Sequence, residues 1–331
     1  MKPAYSVIIP VYNRPDEINE LLASLSVQSF NNFEVVIVED GSDTPCVDVV
    51  NQFKEKLRIT YFTKPNTGQS DSRNVGIGLA KSDFFIFFDS DCIIPPDYML
   101  LLDRYRQTKP VDAYGGPDAA HPSFSSLQKA INFSMTSFLT TGGIRGGKKQ
   151  LEKFTPRSFN MGFSREVFNA TKGYGKLHVG EDIDLSFRIR SAGFDTALIR
   201  DAYVYHKRRL SFKRFWKQVF KYGEARLVLN ELHPGSMKLV HLLPALFTVG
   251  VFAMIFLSLF VSSVFILPVL FYTFLIFVCS FIANKSLSVA FLSIPASFIQ
   301  LIGYGCGFLK SVFVRGLLRK KLSQSKYQLD K

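Results

Sequence analysis

Cysteine is scarce, with four in 331 residues, and Cys46, Cys92, Cys279 and Cys306 form no Cys-x-x-Cys pair or regular spacing. A zinc-ribbon framework and a disulfide-stapled fold are therefore not indicated. Acidic residues are scarce in one part only. Through His206 there are 23 Lys and Arg against 24 Asp and Glu, but from Lys207 onward there are 17 against 3. The net charge of +13 thus belongs wholly to the C-terminal part. No nucleic-acid-binding motif accompanies those basic residues, which argues against nucleic acid as a partner. No secretory leader is expected either. The apolar stretch Tyr5 to Val11 is short and runs into Tyr12-Asn13, so it has the character of a buried strand and a turn, and the N-terminal domain is expected to stay in the cytoplasm.

What the C-terminal part does contain is long apolar runs. Leu239 to Ala283 suffices for two membrane crossings, turning near Ser262-Ser263 with Pro268 close by. Lys207, Arg208, Arg209, Lys213, Arg214, Lys217 and Lys221 precede it, a pattern that fits anionic lipid and the positive-inside rule. A third stretch, Leu287 to Val314, has the length of another crossing. Pro295, Gly303, Gly305 and Gly307 interrupt it, and the tail carries Arg315, Arg319, Lys320, Lys321, Lys326 and Lys331 against one acid. A re-entrant or interfacial course that returns the tail to the cytoplasm is therefore expected.

From Tyr5 to about Gly116, short β-branched or aromatic runs alternate with helical stretches, the signature of a mostly parallel sheet built from βαβ units. Strands are expected at Ser6 to Val11, Phe33 to Glu39, Leu57 to Phe62 and Phe84 to Phe88. Helices are expected at Asp16 to Ser29, Thr44 to Lys56, Gly68 to Lys81 and Asp97 to Gln107. Ligands of such a sheet bind at the carboxyl ends of its strands. Three strands end in polar clusters: Tyr12-Asn13, Asp40-Gly41-Ser42-Asp43 and Asp89-Ser90-Asp91. Further on, Ser123 to Thr141 has helical apolar spacing and suits either a helix packed on the domain or one lying on the membrane. Gly142 to Lys149 follows as a glycine-rich basic loop, a lid or a plain connection.

Asp89-Ser90-Asp91 follows the wholly apolar run Phe84 to Phe88, so its carboxylates stand where a nucleotide pyrophosphate can share a Mg²⁺ or Mn²⁺ with them. A second Asp-x-Asp, Asp182-Ile183-Asp184, opens a helix instead, where acids are ordinary first-turn residues. Three acids in four residues after Gly180 nonetheless exceed what a cap requires. A carboxylate held there by backbone amides suits a general base. Asp40 can accept hydrogen bonds from a base or ribose, or merely cap a turn, and Arg73 can pair with an acid or reach phosphate.

These segments together resemble a family-2 glycosyltransferase of the GT-A fold, across roughly residues 4 to 225. The matching residues are Ser6-Val7-Ile8-Ile9-Pro10-Val11-Tyr12-Asn13, Val38-Glu39-Asp40-Gly41-Ser42, Ser72-Arg73-Asn74-Val75-Gly76, Asp89-Ser90-Asp91, Asn160-Met161 and Gly180-Glu181-Asp182. The resemblance implies that Pro10, Tyr12, Asn13, Asp40, Arg73 and Asp89 hold the nucleotide donor. It gives Asp91 the Mn²⁺ or Mg²⁺ ion, with His206 as a donor-side histidine, and makes Asp182, beside Glu181, the catalytic base. Asn160 and Met161 would lie near the acceptor or donor sugar, as would Gln218, Lys221 and Tyr222, which form a weak match to the Gln-x-x-Arg-Trp motif of processive synthases. Glu39 stands where the family usually has a second aspartate.

The implied reaction is sugar transfer with inversion from a nucleotide-sugar, guessed as UDP-linked, to a hydroxyl of a lipid-linked or cell-surface glycan precursor. A polyprenyl-phosphate sugar synthase and a nucleotidyltransferase remain as alternatives. The implied organisation is a catalytic domain over residues 1–225, with a nucleotide-binding half to about residue 116 and an acceptor half after it. A basic linker (226–238), a membrane domain (239–314) and a basic tail (315–331) follow. The protein is expected to be multi-pass in the plasma or inner membrane, with its catalytic domain cytoplasmic.

Overall fold

The computed structural model describes residues 2–142 and 154–317. In chain order the elements are β1 (Tyr5–Val11), α1 (Pro15–Ser26), β2 (Phe33–Asp40), α2 (Val47–Phe53), β3 (Ile59–Lys64), α3 (Gln69–Leu79), β4 (Phe84–Phe88), β5 (Cys92–Ile93) and α4 (Tyr98–Thr108). Next come β6 (Ala113–Gly115), β7 (Asp118–Ala119), α5 (Ser126–Thr136), α6 (Phe138–Thr141), β8 (Asn160–Ser164), α7 (Arg165–Thr171), α8 (Glu181–Ser191), β9 (Thr196–Leu198) and β10 (Val204–His206). The long helices α9 (Phe212–Leu232), α10 (Leu243–Phe260), α11 (Leu267–Asn284) and α12 (Leu287–Val312) follow. The described residues pack as two compact units, 2–121 with 154–207, and 122–142 with 208–317.

The first unit is built on a seven-stranded sheet in the order β3-β2-β1-β4-β8-β6-β9. β3, β2, β1 and β4 are mutually parallel, and β8 runs antiparallel to β4 and β6. The near-continuous apolar strands follow from burial on both faces. Val7, Ile9, Val35, Ile37, Ile86 and Phe88 pack on one side with Leu21, Leu22 and Leu102 of α1 and α4. Their alternates Ile8, Val36, Val38, Phe85 and Phe87 pack on the other with Ile77, Leu185 and Ile189 of α3 and α8. Each such side chain contributes about 2 kcal/mol on burial, so the strand ends are held to a rigid slab. Val11 lies opposite Glu39, which brings the turns after β1 and β2 to one edge. A small sheet, β5-β10-β7, pairs Cys92 with His206 at that edge. α2 is shorter than the expected Thr44 to Lys56 because the amides of Thr44 and Cys46 go to the side chains of Asn13 and Glu39 instead of a helical turn.

In the second unit, Ile131 and Met135 of α5, Phe215 and Val219 of α9 and Ala296 of α12 form a buried cluster. This corrects the boundary expected at residue 225. α5 and α9 belong with the C-terminal helices because their apolar faces pack there, and α9 continues through Leu232 into the expected linker. The single helix expected over Ser123 to Thr141 breaks at Ser137, whose hydroxyl accepts the Leu139 amide and starts α6.

Among the described residues three helices are long and apolar enough to cross a membrane, Leu243–Phe260, Ser263–Asn284 and Leu287–Arg315, with mean hydropathies of 2.3, 2.5 and 1.6. The turn near Ser262-Ser263 falls where expected, but α12 is unbroken through Pro295 and its glycines. Those glycines serve close helix packing and do not interrupt the helix. A Cβ on Gly307 would stand 2.0 Å from the Phe220 carbonyl oxygen, and one on Gly223 would stand 2.1 Å from that of Tyr304. An ion pair joins the same two helices, Lys310 to Glu224 at 2.7 Å, and Arg315, just beyond α12, pairs with Glu231. Gly143 to Lys149 of the expected loop, and the tail beyond Leu317, lie outside the described residues.

Candidate active site

The turns at the carboxyl edge of the sheet are tied together by hydrogen bonds within the chain. Asn13 adopts a left-handed conformation (φ 54°) that asparagine tolerates better than most residues. Its amide donates to the Ser42 hydroxyl at 2.7 Å, and its Oδ1 accepts from the Thr44 amide at 3.0 Å. Beneath them Glu39, 2% exposed, accepts from the Cys46 amide and the Tyr61 hydroxyl, each at 2.9 Å, and from the Ser42 hydroxyl. The longer carboxylate at this position therefore braces both turns. Tyr12 stands out from them, 47% exposed. Pro10 is partly buried within β1.

Asp40 is buried and accepts from the Thr67 amide at 3.0 Å, the Gly68 amide at 2.9 Å and the Lys64 ammonium. Burial alone would raise its pKa, but these donors outweigh it and hold the carboxyl below its usual range. Asp40 is thus an ionised anchor for the loop that enters α3. Lys64 and the Thr67 amide share its Oδ1, and the Gly68 amide donates to its Oδ2.

Arg73 lies deeper than its neighbours in the site. Expected beside the nucleoside, it is wholly buried, with Nη2 donating to Asp89 at 2.7 Å, Nη1 to Glu181 at 3.3 Å and the guanidinium 5.0 Å from the Tyr174 ring centre. Two motifs over ninety positions apart, one after β4 and one opening α8, are joined by this side chain. Glu181 further accepts from Gln69 at 2.7 Å. Burial, reinforced by neighbouring Asp182, overrides the attraction of Arg73 and pushes the Glu181 carboxyl up to about 8.

Asp91 lies between His206, whose Nε2 is 3.2 Å from Oδ1, and Arg14, whose Nη1 is 3.3 Å from Oδ2. The His206 ring stacks on Phe159 with centroids 4.7 Å apart. Ligand atoms of Asp91, His206 and Cys92 lie within 4.8 Å of one another. A carboxylate and an imidazole that converge in this way fit a divalent cation such as Mn²⁺ or Mg²⁺, which they would hold together. The Cys92 thiol meanwhile donates to the Phe159 carbonyl at 3.6 Å.

The two acids of Asp182-Ile183-Asp184 have different fates. Asp182 takes the Ile183 amide at 2.7 Å and the Ser158 amide at 3.4 Å, with Arg157 at 3.8 Å. Asp184, 2% exposed, is tied to Arg188 at 2.7 and 3.0 Å, and that arginine also donates to the carbonyls of Thr171 and Gly173. Asn160 and Met161, expected near the sugar, are both 0% exposed. Asn160 accepts from the Tyr98 hydroxyl at 2.6 Å and donates to the Ala202 carbonyl at 2.8 Å, and Met161 belongs to the core, so neither reaches the surface. Gln218, Lys221 and Tyr222 lie on α9 of the second unit, where Gln218 donates to the Tyr222 hydroxyl at 2.8 Å and Lys221 is exposed.

Sequence reasoning missed Arg14, Gln69 and Cys92 at this site. The signals were adjacency to Asn13, to the Gly68 turn and to Asp91, too common to single out any one of them.

Known proteins resemble this chain in sequence and in fold. A glycosyltransferase of Haemophilus influenzae is 35% identical over 97 residues, covering 29% of this chain and 39% of that protein. The validoxylamine A glucosyltransferase of Streptomyces hygroscopicus is 35% identical over 230 residues, covering 61% of this chain and 54% of that protein. The chain therefore spans less than two thirds of the length of these relatives. Among solved structures, the mannosyltransferase PcManGT from Pyrobaculum calidifontis, in complex with GDP-Man and Mn²⁺, superposes with a TM-score of 0.63 at 15% identity, covering 93% of this chain and 88% of that one. That likeness supports a GT-A-like α/β fold. The pattern that defines Glycosyl transferase family 2 matches residues 6–171, and the chain belongs to that family.

Proposed function

We propose that the protein is a membrane-anchored, inverting glycosyltransferase that moves a sugar from a nucleotide donor, UDP-linked by resemblance, to a hydroxyl of a lipid-linked or cell-surface glycan precursor at the cytoplasmic membrane face. The observation that carries this is the Arg73 bridge, which draws Asp89 of the strand-end motif and Glu181 of the helix-start motif onto one guanidinium. Tyr12 and Pro10 would border the nucleoside, with Asp40 fixing the loop behind it. Asp91 and His206 would hold Mn²⁺ or Mg²⁺, which supplies positive charge to the departing diphosphate.

Asp182 is the proposed base. Its oxygens accept from the backbone amides of Ile183 and Ser158, which fixes the direction of the carboxyl group. It takes the proton of the acceptor hydroxyl as the new bond forms between that oxygen and the anomeric carbon. The bond from the anomeric carbon to the phosphate oxygen breaks at the same time, and its electron pair leaves with the nucleoside diphosphate. Glu181, held by Arg73 and Gln69, orients the start of α8.

The proposed membrane topology rests on α9 and α12. α9 carries exposed Lys213, Arg214, Lys217 and Lys221, which cannot lie in hydrocarbon. The last turns of α12 run beside it through Gly223, Gly307 and the Lys310–Glu224 pair. This supports a C-terminal tail on the same side as α9, the cytoplasm. Labelling of a cysteine at Gln328 from outside intact cells would overturn it.

The function is tested by incubating the protein with UDP-, GDP- and dTDP-sugars, with and without Mn²⁺, and scoring nucleoside diphosphate release. Release of pyrophosphate instead would point to nucleotidyl transfer. Turnover that survives Asp182→Asn would favour a phosphate acceptor, which is already ionised and needs no base.

A further inference from the structure

Arg14 has no part in the family resemblance above, yet it touches the carboxylate proposed for the metal. It follows Asn13 directly and stands at the start of α1 without capping that helix through its side chain. Its guanidinium instead lies 3.3 Å from both Asp91 and Glu17. The side chain is about one third exposed, with an exposure of 35%. An ion pair that open adds little to stability, about 0–1 kcal/mol, so folding alone gives weak reason for the placement.

We propose that Arg14 is a two-position guanidinium: it neutralises Asp91 while that carboxylate holds no metal, and it turns to the donor diphosphate once Asp91 and His206 take up a divalent cation. This rests on the metal and donor assignment made above.

The argument is one of charge and reach. His206 faces one oxygen of Asp91 and Arg14 the other, so a divalent cation entering there meets a positive group and displaces it. The displaced guanidinium, still anchored beside Asn13, lies next to the position where the diphosphate oxygens must sit to share the metal. Its planar donors suit two phosphate oxygens at once. As the bond to the anomeric carbon breaks, the diphosphate gains a negative charge, and a donor fixed on it counts for more in the transition state than in the bound donor.

The two positions make opposite predictions for one substitution. In full-length protein, Arg14→Gln should tighten Mn²⁺ binding without nucleotide by about threefold, because a competing cation is gone. The same change should weaken Mn²⁺-dependent binding of UDP or GDP by about tenfold, since a charge-assisted contact is lost. Arg14→Lys should leave metal binding near wild type and recover part of the nucleotide affinity. Free Mn²⁺ by electron paramagnetic resonance and nucleotide binding by calorimetry give both readings. If Arg14→Gln leaves both affinities unchanged, or weakens both, Arg14 is only a surface ion pair and the proposal fails. If the wild-type protein binds no Mn²⁺ at all, the metal assignment beneath it fails instead.

Discussion

Two Asp-x-Asp segments sit in the same unit and end in opposite circumstances. Asp89-Ser90-Asp91 leaves a strand buried on both faces, so neither acid has a helix to cap. One meets Arg73, and the other meets His206 and Arg14. Asp182-Ile183-Asp184 lies in the first turn of α8, where the helix sorts the two acids by direction. Asp182 faces amides and Arg157, whereas Asp184 points inward to Arg188 and is closed off. The lesson is that the tripeptide carries no chemistry by itself. The element it ends or begins decides which carboxylates remain available.

The largest effect expected from this contrast is at Asp182. Asp182→Asn should lower transfer by about 10²–10⁴-fold, the usual worth of a general base, while donor affinity stays within about threefold, since the proposed base would contact the acceptor. Rate and donor binding measured together decide it, and a comparable loss in both would move Asp182 to the donor side. Next, Asp91→Asn should weaken Mn²⁺-dependent donor binding by about tenfold or more, whereas Asp184→Asn should leave it unchanged. Equal titrations would erase the distinction between the two segments.

Asp184→Asn should act on stability instead. It removes the charged partner of Arg188 from a nearly closed site and should destabilise by about 1–3 kcal/mol, seen as a lowered thermal midpoint with metal affinity intact. The smallest effect concerns Glu181 and pH. Its folded carboxyl titrates near 8 and its unfolded one near 4.5, so between these values the folded state holds the extra proton. Stability from this group is fully present below about pH 4.5 and is lost as pH rises towards 8. Glu181→Gln cannot release that proton and should flatten this part of the thermal-midpoint profile; an unchanged slope would show that Glu181 is ionised in the fold.

The sheet was legible because strand periodicity is local. Ile8 and Ile9 of β1, like Phe87 and Phe88 of β4, alternate between two core clusters, and a wholly apolar run leaves few options besides a central strand. The acids at strand ends followed from that placement. The glycines of α12 misled for the opposite reason. In sequence they weaken a helix, and only the approach of α9 shows that Gly223 and Gly307 make room for a neighbouring backbone.

By itself the sequence determined the α/β architecture, the polar turns that end its strands, two apolar helices turning near Ser262-Ser263 and the carboxylates worth naming. Each of these depends on spacing within one segment or on the composition of one run. Tertiary structure alone decided that Arg73 is a buried bridge, that Asn160 and Met161 are core residues, that Asp184 is closed by Arg188 and that α5 and α9 pack with the C-terminal helices. Those outcomes depend on which distant segment fills the space beside a side chain, and a hydrogen bond or a packed face has no trace in the spacing of either partner alone.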